Sequence, residues 1–155
     1  MESGKYSLNF RVASLFGLGK APFASGTVAT LVAGIPSFLA VGYVSVLFQV
    51  VIVGAVFAAG WYTAERTEKE LGRSDPSEVV IDELCGFLIS MLGHPVTFAS
   101  IFTGFVFFRL FDIWKPWPVR ALEKKLQGGL GVMADDVGAG IYANLAGLFV
   151  LALLK

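Results

Sequence analysis

Residues 21–64 read APFASGTVATLVAGIPSFLAVGYVSVLFQVVIVGAVFAAGWYTA and contain no Asp, Glu, Lys or Arg. An apolar α-helix needs about 20 residues to cross the hydrocarbon core of a bilayer, so this uncharged stretch is too long for one crossing and suits two. The break is expected near residues 42–45, which leaves a helix of roughly 17 residues on either side. The stretch therefore predicts a tight helical hairpin in a membrane.

The composition of the whole chain agrees with a membrane protein. Of its 155 residues 55% are apolar and 15% are charged, and the mean hydropathy of +0.72 lies well outside ordinary soluble usage. The 12 basic and 12 acidic residues balance, so no net charge attracts nucleic acid and we expect no such partner. We interpret residues 1–155 as one mature domain, because the first apolar stretch starts too late and is too long for a cleaved signal.

Two further regions predict helices. Residues 137–154 carry no charge and are just long enough for a terminal transmembrane helix. The segment Asp75-Pro76-Ser77-Glu78 has the pattern of a capping box with Asp in place of Ser or Thr, which predicts a helix that starts there. That helix should end near Gly93-His94-Pro95, and another should follow from Pro95 to about Lys115. The alternative is a single crossing over residues 84–108 with a kink at Pro95.

The hairpin interpretation of this middle region places almost all charges on one side of the membrane. The charged groups at 65–83 and 109–136 and the N-terminal segment then share one face, and only Lys155 lies opposite. That face would hold Lys20, Arg66, Lys69, Arg73, Arg120, Lys124 and Lys125. Since basic residues favour the cytoplasmic side, the charged face is predicted to be cytoplasmic. The fold class is therefore an all-α polytopic membrane protein with short transmembrane helices plus a helical hairpin.

Two acidic or mixed-charge groups lie in the predicted hairpin. Asp82 and Glu83 directly precede a wholly apolar run, so both carboxylates are expected at or below the membrane surface and need a cation that their own helix does not supply. Arg109, Asp112 and Lys115 are spaced by three residues and share one helical stripe. The purely structural alternative is an Arg109–Asp112 pair within that helix, with Lys115 reaching to water.

A third acidic group, Asp135-Asp136, follows the glycine-rich residues 128–134, which we predict to be a loop before the last helix. Adjacent like charges favour a divalent cation, although one carboxylate could instead cap the helix. Carboxylate oxygens without a set of His and Cys ligands indicate magnesium or manganese and not zinc. His94 stands alone and is interpreted as a turn residue.

The basic, glycine-bearing residues 17–27 precede the first apolar helix and suit phosphate contact through backbone N–H groups. They do not form a Walker motif, because Ala21 follows Lys20, and a helix-entry turn explains them equally well. Cys85 has no Arg six positions further on, and no D-x-D motif occurs in the chain. Phosphatases with a cysteine or aspartyl nucleophile are therefore discounted, and hydrolysis by metal-activated water is left.

Four blocks, which together span most of the chain, also carry a family resemblance. They are Gly19-Lys-Ala-Pro through Gly26-Thr27, Asp75-Pro-Ser-Glu-Val-Val-Ile-Asp82-Glu83 with Gly86, Phe108-Arg-Leu-Phe-Asp-Ile-Trp-Lys-Pro-Trp-Pro118, and Gly128-Gly-Leu-Gly-Val-Met-Ala-Asp-Asp136 with Ala139-Gly-Ile-Tyr142. In the order and spacing of the last three blocks the chain resembles the bacterial phosphatidylglycerophosphatase A family. The first block departs from the family, because Ser25 precedes Gly26-Thr27 where Pro is expected.

The resemblance implies an Mg²⁺-dependent lipid phosphatase of phospholipid biosynthesis, which converts phosphatidylglycerophosphate to phosphatidylglycerol at the cytoplasmic face of the bacterial inner membrane. Its partners would be the phosphorylated phospholipid and the bilayer. The residues expected to be catalytic are Asp82, Glu83 and Asp136. The metal ligands are expected among Glu83, Asp112, Asp135 and Asp136. The residues expected to bind the substrate phosphate are Arg109, Lys115, Lys20 and Thr27.

Three alternatives stay open at the level of sequence. Another lipid phosphate could be the substrate, since phosphatidic acid presents the same group. Intramembrane acids also occur in cation carriers and channels, but the predicted transmembrane helices contain few polar residues beyond Ser37, Ser45, Gln49 and Asn144. A soluble helical bundle could bury the short apolar runs in its own core, and fractionation of membranes from cytosol would detect it.

Overall fold

The computed structural model describes residues 7–153, without the side chains of 122–124. Its elements are α1 (Leu8–Ala13), a 3₁₀ turn (Leu18–Lys20), α2 (Ser25–Ala29), a π-helical turn (Thr30–Gly34), α3 (Ile35–Val41), α4 (Val46–Leu71), α5 (Ile81–Ser90), α6 (Phe98–Trp114), α7 (Val119–Lys125) and α8 (Gly128–Leu153). The described residues contain no strand, which confirms the all-α prediction. Lys155 and the side chain of Lys124, both used to predict the charged face, lie outside the described part.

The uncharged stretch forms two helical arms, as predicted, but they are not a tight hairpin, because both arms pack on α5 and hardly on each other. Helices α2 and α3, joined by the π-helical turn, form one arm over residues 25–41, and α4 begins after a turn at 42–45. Helix α4 has 26 residues, more than predicted, because the Glu, Lys and Arg residues beyond the apolar run are good helix formers. It ends at Gly72, whose φ of 63° is the left-handed conformation typical of a helix C-terminus.

Helices α4 and α8 are the two described helices that are long and apolar enough to cross a membrane. At about 1.5 Å per residue, each is longer than the hydrocarbon core of a bilayer is thick. Their large apolar side chains are mostly exposed, for example Leu47 at 73%, Phe48 at 65% and Phe149 at 66%. A helix at the core of a soluble protein would bury such residues, so this pattern favours lipid as the surrounding solvent.

Helix α5 lies at the centre of the bundle but has only 10 residues, too few to cross a bilayer. It packs on α8 at backbone contact. A Cβ atom at Gly86 would overlap the carbonyl oxygen of Asp136 and the ring of Phe108, and a Cβ atom at Gly140 would overlap the carbonyl of Gly86. The two glycines therefore bring the start of α5 close to the carboxylate-bearing part of α8.

Helices α5 and α6 form the predicted second hairpin, so the alternative of one continuous crossing over residues 84–108 is wrong. Gly93, with φ of 73°, turns the chain after α5. The hydroxyl of Thr97 then accepts the N–H of Ser100 and caps α6. Helix α6 thus begins three residues later than predicted and runs back toward the start of α5.

Two amide side chains bond the backbone of the hairpin turns. The side-chain oxygen of Gln49 accepts the N–H of Gly93 at 3.1 Å, and its NH₂ group donates to carbonyl oxygens in the 42–45 turn. Asn144 of α8 donates to the carbonyl oxygen of Ser90, the last residue of α5, at 3.1 Å and to that of Leu92 at 2.8 Å. These bonds supply partners to groups that a helix end leaves unpaired.

The predicted helix start at residues 75–78 is wrong, since α5 begins only at Ile81. The N–H of Val80 donates to the carbonyl of Ala13 at 2.9 Å, and Val79 and Val80 are 5% and 2% exposed. Burial of these two valines against α1 stabilises the non-helical conformation of this segment. It contributes more than the roughly 1 kcal/mol that a cap would add to a helix starting at residues 75–78. Tertiary packing therefore overrides the local capping pattern.

The prediction of a loop at residues 128–134 is also wrong, because these residues form the first turns of α8. The carboxylate of Glu65 on α4 accepts the N–H of Gly129 at 3.0 Å, and a Cβ atom at Gly129 would overlap the backbone of α4. Close packing and this cap offset the roughly 1 kcal/mol by which glycine disfavours a helix. Asp135 and Asp136 accordingly lie inside a helix and do not cap its start.

Candidate active site

Carboxylates from three helices meet at the start of α5. Oxygen atoms of Glu83 on α5, Asp112 on α6 and Asp136 on α8 all lie within 4.8 Å of one another. Asp136 is 3% exposed, and the side chains of Glu83 and Asp112 are 13% and 15% exposed. Three carboxylates this close repel each other unless a cation lies near them. We call these three residues the carboxylate cluster.

Two buried oxygens at this end of α5, Asp136 Oδ2 and Asp82 Oδ1, have no hydrogen-bond partner within residues 7–153. Burial raises the pKa of Asp82 well above its ordinary value, and the charge of Glu83 raises it further. Burial also raises the pKa of Glu83, against the opposing effect of Arg109. A divalent metal ion would lower these pKa values and give the orphaned Asp136 oxygen a partner, so the residues fit a metal site.

Arg109 contacts two members of the carboxylate cluster. Its Nη1 lies 2.5 Å from Oε2 of Glu83 and 3.0 Å from Oδ2 of Asp112. The intrahelical Arg109–Asp112 pair considered from the sequence is therefore present, but a shorter contact joins α6 to α5. One guanidinium beside three carboxylates leaves a net negative charge, so Arg109 alone does not neutralise the cluster.

Lys115 directly follows α6 and has φ of 47°. Its Nζ lies 2.7 Å from Oδ2 of Asp135, and its side chain is 25% exposed. The interpretation in which Lys115 only reaches to water therefore does not describe the structure. Asp135, a predicted metal ligand, is paired with this lysine and is not one of the three cluster residues. Its metal-binding role stays a prediction.

The start of α2 borders the cluster on the side of Glu83. A Cβ atom at Gly26 would overlap Oε1 of Glu83, so glycine is needed for this close approach. The hydroxyl of Ser25 donates to the carbonyl of Ser77 at 3.2 Å, which ties α2 to the loop before α5. Thr27, a predicted phosphate-binding residue, is half-buried next to this contact. The first N–H groups of a helix lack intrahelical partners and are available to an anion.

The π-helical turn at residues 30–34 aligns this arm with α5. A Cβ atom at Gly34 would overlap the ring of Phe87, just as one at Gly26 would overlap Glu83. In a regular α-helix, positions eight apart differ by roughly 80° around the axis. The extra residue of a π turn reduces that difference. Both glycines therefore face α5, and the start of α2 stays against Glu83.

Lys20 lies elsewhere in the first loop. Its Nζ is 5.3 Å from the centroid of the Phe10 ring, and it lines a cleft of about 460 Å³ with Arg73 and Glu78. Arg73 donates to Glu78 at 2.8 Å and holds the pKa of that carboxyl below its ordinary value. Phosphate contact by Lys20 stays a prediction.

Two other residues singled out from the sequence lie outside the cluster. His94 is 2% exposed in the turn after α5, at the opposite end of that helix from Glu83, with its ring against Gly147. Cys85 is buried, and burial raises the pKa of its thiol to about 12. A thiol that is protonated at neutral pH is a poor nucleophile, which agrees with discounting cysteine chemistry.

Sequence reasoning missed three contributors to the site. The first is the close approach of α5 to α8 at Gly86, which a small residue within an apolar helix could have indicated. Glu65 supports α8 from α4, and no local pattern indicates this contact. Helix α7 was not predicted, because it is short and is held by Val119, which is 1% exposed and packs on Gly138.

Comparison with known proteins matches most of the chain. Residues 11–151 match the family described as Phosphatidylglycerophosphatase A. The chain is 34% identical over 127 residues to Phosphatidylglycerophosphatase A of Escherichia coli K12, with 81% of this chain and 73% of that protein covered. Identity to the Haemophilus influenzae protein of the same description is 34% over 129 residues, covering 83% and 79%. A Bacteroides thetaiotaomicron protein, whose description proposes a phosphatidylinositol-3-phosphatase, is 38% identical over 135 residues, covering 83% and 84%. No solved structure matches the chain.

Proposed function

The chain belongs to the phosphatidylglycerophosphatase A family and is a phosphatase, and on that premise we propose that it hydrolyses phosphatidylglycerophosphate to phosphatidylglycerol and phosphate. The observation that carries this proposal is the meeting of Glu83, Asp112 and Asp136 within 4.8 Å, with Arg109 beside them. Carboxylates that can hold a divalent cation next to a fixed guanidinium suit a phosphate monoester. The enzyme would serve phospholipid biosynthesis.

We assign the metal to the carboxylate cluster, with Mg²⁺ as the ion because all the donors are hard oxygens. Asp135 is a further candidate ligand that would first have to leave Lys115. When bound, the ion would polarise the phosphate and lower the pKa of a water molecule. Glu83 and Asp136, both expected to be catalytic, would contribute by holding this ion.

Arg109 and Lys115 are proposed to bind phosphate oxygens as negative charge builds on them. Each already makes an ion pair at the edge of the cluster, which a phosphate can share. Thr27 and the first N–H groups of α2 would add neutral donors beside Glu83. Lys20 would approach from the first loop.

Asp82 is proposed to accept the proton of the attacking water. It adjoins Glu83 but lies outside the three-oxygen group, and its Oδ1 has no partner among the described residues. The water oxygen bonds to phosphorus, the bond from phosphorus to the glycerol oxygen breaks, and that oxygen takes up a proton. The products are phosphatidylglycerol and inorganic phosphate.

We propose that the protein is a multi-pass inner-membrane protein with this site at the cytoplasmic face. The exposed apolar sides of α4 and α8 support insertion, and the basic residues near the cluster support the orientation. The lipid tails can then stay in the bilayer while the headgroup enters the site laterally. A channel would need polar groups along its path, whereas the amides of Gln49 and Asn144 are bonded to the hairpin turns.

A second candidate is hydrolysis of another lipid phosphate monoester. The relative from Bacteroides thetaiotaomicron favours this candidate, because its description proposes a phosphatidylinositol-3-phosphatase at 38% identity. The same cluster could bind either monoester, and only the surroundings of the site would select between them.

Phosphate release from a substrate panel tests both candidates. The panel holds phosphatidylglycerophosphate, phosphatidic acid, phosphatidylinositol 3-phosphate and glycerol 3-phosphate, each presented to the detergent-solubilised full chain with Mg²⁺ or with EDTA. We expect the fastest release from phosphatidylglycerophosphate and none in EDTA. Fastest release from phosphatidylinositol 3-phosphate would favour the second candidate. Activity on the soluble ester alone would refute a lipid phosphatase, and full activity in EDTA would refute the metal.

A further inference from the structure

A cleft of about 460 Å³ opens where α6 ends. The residues that line it are Trp114, Lys115, Pro116, Trp117, Arg120 and Ala121. Two of these side chains are cationic and none is acidic. The cleft therefore suits an anion with an apolar or amphipathic body.

Lys115 connects this cleft to the cluster. It lines the cleft, and its Nζ lies 2.7 Å from Oδ2 of Asp135, the chain neighbour of Asp136. It also follows Asp112 by three residues, which is about 4.5 Å along a helix axis. A group in the cleft and a group at the cluster would accordingly be separated by only a small chemical linker.

The segment that forms the cleft is fixed to α8 at two points. The hydroxyl of Tyr142 donates to the carbonyl of Trp117 at 2.9 Å. Val119 is 1% exposed and packs against Gly138, where a Cβ atom would overlap it. Arg120 follows Val119 directly and is exposed. Its guanidinium is thus carried by an anchored backbone.

The aromatic residues of the cleft are suited to the depth at which phospholipid phosphates lie. Trp114 is 66% and Trp117 is 81% exposed. Tryptophan side chains favour the membrane–water interface, because one end of the indole is apolar and the other carries an N–H donor. A lipid headgroup would therefore meet these two rings at the entrance to the site.

Other clefts near the site fit a phosphate less well. A cleft of about 250 Å³ is lined by Glu68, Asp75 and Asp135 and would repel an anion. In the cleft that contains Lys20, Arg73 is already paired with Glu78 at 2.8 Å. The cleft at the end of α6 combines two cations, two exposed tryptophans and Lys115, which is paired with Asp135 beside the cluster.

We propose that this cleft is a second phosphate subsite, in which Arg120 binds the phosphodiester of the lipid while its monoester lies at the carboxylate cluster beside Lys115. This inference rests on the proposed function. Phosphatidylglycerophosphate carries both groups, separated by one glycerol unit, whereas phosphatidic acid has the monoester and no diester. The subsite therefore selects lipids in which a phosphomonoester extends beyond a phosphodiester.

Kinetics with Arg120→Gln test this selectivity. The ratio of kcat/KM for phosphatidylglycerophosphate to that for phosphatidic acid should fall about tenfold, mainly through KM for the diester-containing lipid, because one charge-assisted hydrogen bond is lost. Lys125→Gln is the matched control, since Lys125 is exposed on the same helix but does not line the cleft. An unchanged ratio in Arg120→Gln would overturn the subsite.

A binding measurement separates this inference from the proposed function. Phosphatidylglycerol keeps the diester and lacks the monoester, so short-chain phosphatidylglycerol is titrated into the solubilised full chain while tryptophan emission is recorded. Arg120→Gln should weaken its Kd about tenfold relative to Lys125→Gln. Equal affinities would overturn the subsite even if lipid phosphatase activity stands. Arg120-dependent binding in a protein that hydrolyses no lipid would reject the proposed function and support the subsite.

Discussion

The two ends of the helical bundle bury polar groups in opposite ways. At the turn end, the amides of Gln49 and Asn144 are neutral and are bonded to backbone groups of the hairpin turns. At the charged end, three carboxylates lie within 4.8 Å of one another, and Asp136 Oδ2 has no partner among the described residues. His94 is the exception at the turn end, since neither of its ring nitrogens has a hydrogen-bond partner in residues 7–153.

This difference separates stability from function. Paired amides stabilise a fold, whereas clustered, largely buried carboxylates cost stability and persist where they bind a cation or a reacting group. Substitutions at the turn end should therefore lower the free energy of unfolding and spare the chemistry. Substitutions at the charged end should impair the chemistry without lowering the free energy of unfolding.

The largest expected effect is that of Asp136→Asn. Asparagine keeps the shape of the side chain but does not supply an anionic metal ligand, so kcat/KM for Mg²⁺-dependent phosphate release should fall by at least about 100-fold. The Tm should not fall, because one of three repelling charges is removed. Phosphate release and thermal unfolding of the same solubilised preparation measure the two effects.

Asp75→Asn is the control for this substitution. Asp75 is acidic and exposed in the loop before α5, outside the carboxylate cluster. It should retain activity within about twofold, as expected of an exposed position. Near-normal activity in Asp136→Asn would remove Asp136 from the site and contradict the contrast between the two ends.

The turn end should respond with stability alone. Asn144→Leu leaves the carbonyls of Ser90 and Leu92 without their side-chain donors, at a cost of about 2–3 kcal/mol, which lowers the Tm by several degrees. The kcat of the folded enzyme, measured well below the Tm, should be unchanged. Thr103→Val is the control, since its hydroxyl bonds only to backbone carbonyls of its own helix. A large loss of kcat in Asn144→Leu would couple the two ends and break the comparison.

The sequence predicts the outline of the fold because run length and charge placement are local quantities. The uncharged residues 21–64 predict two helical arms, and Gly93 predicts the turn between α5 and α6. The starts of α5 and α8 were mispredicted for a non-local reason. Val80 is bonded to Ala13, and Gly129 is capped by Glu65. Neither partner is adjacent in the chain, so local capping rules identify neither helix start.

The convergence of the carboxylates on one face was predictable from the sequence, but their contacts were not. Helices α5 and α6 form a hairpin whose open end lies at the charged face, where the charged part of α8 also lies. This topology alone brings Glu83, Asp112 and Asp136 to the same face. The rotation of each helix then decides that Arg109 contacts Glu83 and that Asp135 pairs with Lys115. That rotation depends on glycine contacts and on a π-helical turn, and sequence periodicity reveals neither.

A steric change at the charged end should give a smaller effect than loss of a carboxylate. In Gly26→Ala the new methyl group would overlap Oε1 of Glu83, and the shifted carboxylate should weaken apparent Mg²⁺ affinity about tenfold. The measurements are Mg²⁺ activation of phosphate release and the rise of Tm with Mg²⁺. The control is Gly54→Ala on α4, where a Cβ atom meets nothing within 4 Å. Equal Mg²⁺ dependence in both variants would show that α2 does not position Glu83.

The smallest expected effect concerns Glu78, a carboxylate near the charged end that does have a partner. Arg73 lies 2.8 Å from its Oε1 and lowers its pKa from the ordinary value of 4.5. For a carboxyl whose pKa is lowered on folding, the stabilisation is present above the unfolded value and is lost as pH falls through the lowered value. Arg73→Gln should therefore lower the free energy of unfolding near pH 7 by less than about 1 kcal/mol, since Arg73 is 54% exposed and the pair is screened.

Thermal unfolding of the wild type and Arg73→Gln near pH 7 and near pH 3 measures this effect. The difference in Tm between the two proteins should shrink as the pH falls, because the stabilisation by the pair is lost as Glu78 of the folded wild type takes up a proton. A difference that is equal at both pH values would mean that Arg73 stabilises the loop by packing and not through the charge of Glu78. Both proteins should retain phosphatase activity, because neither Arg73 nor Glu78 belongs to the carboxylate cluster. Asp136 does belong to it, and its buried Oδ2 has no hydrogen-bond partner among the described residues.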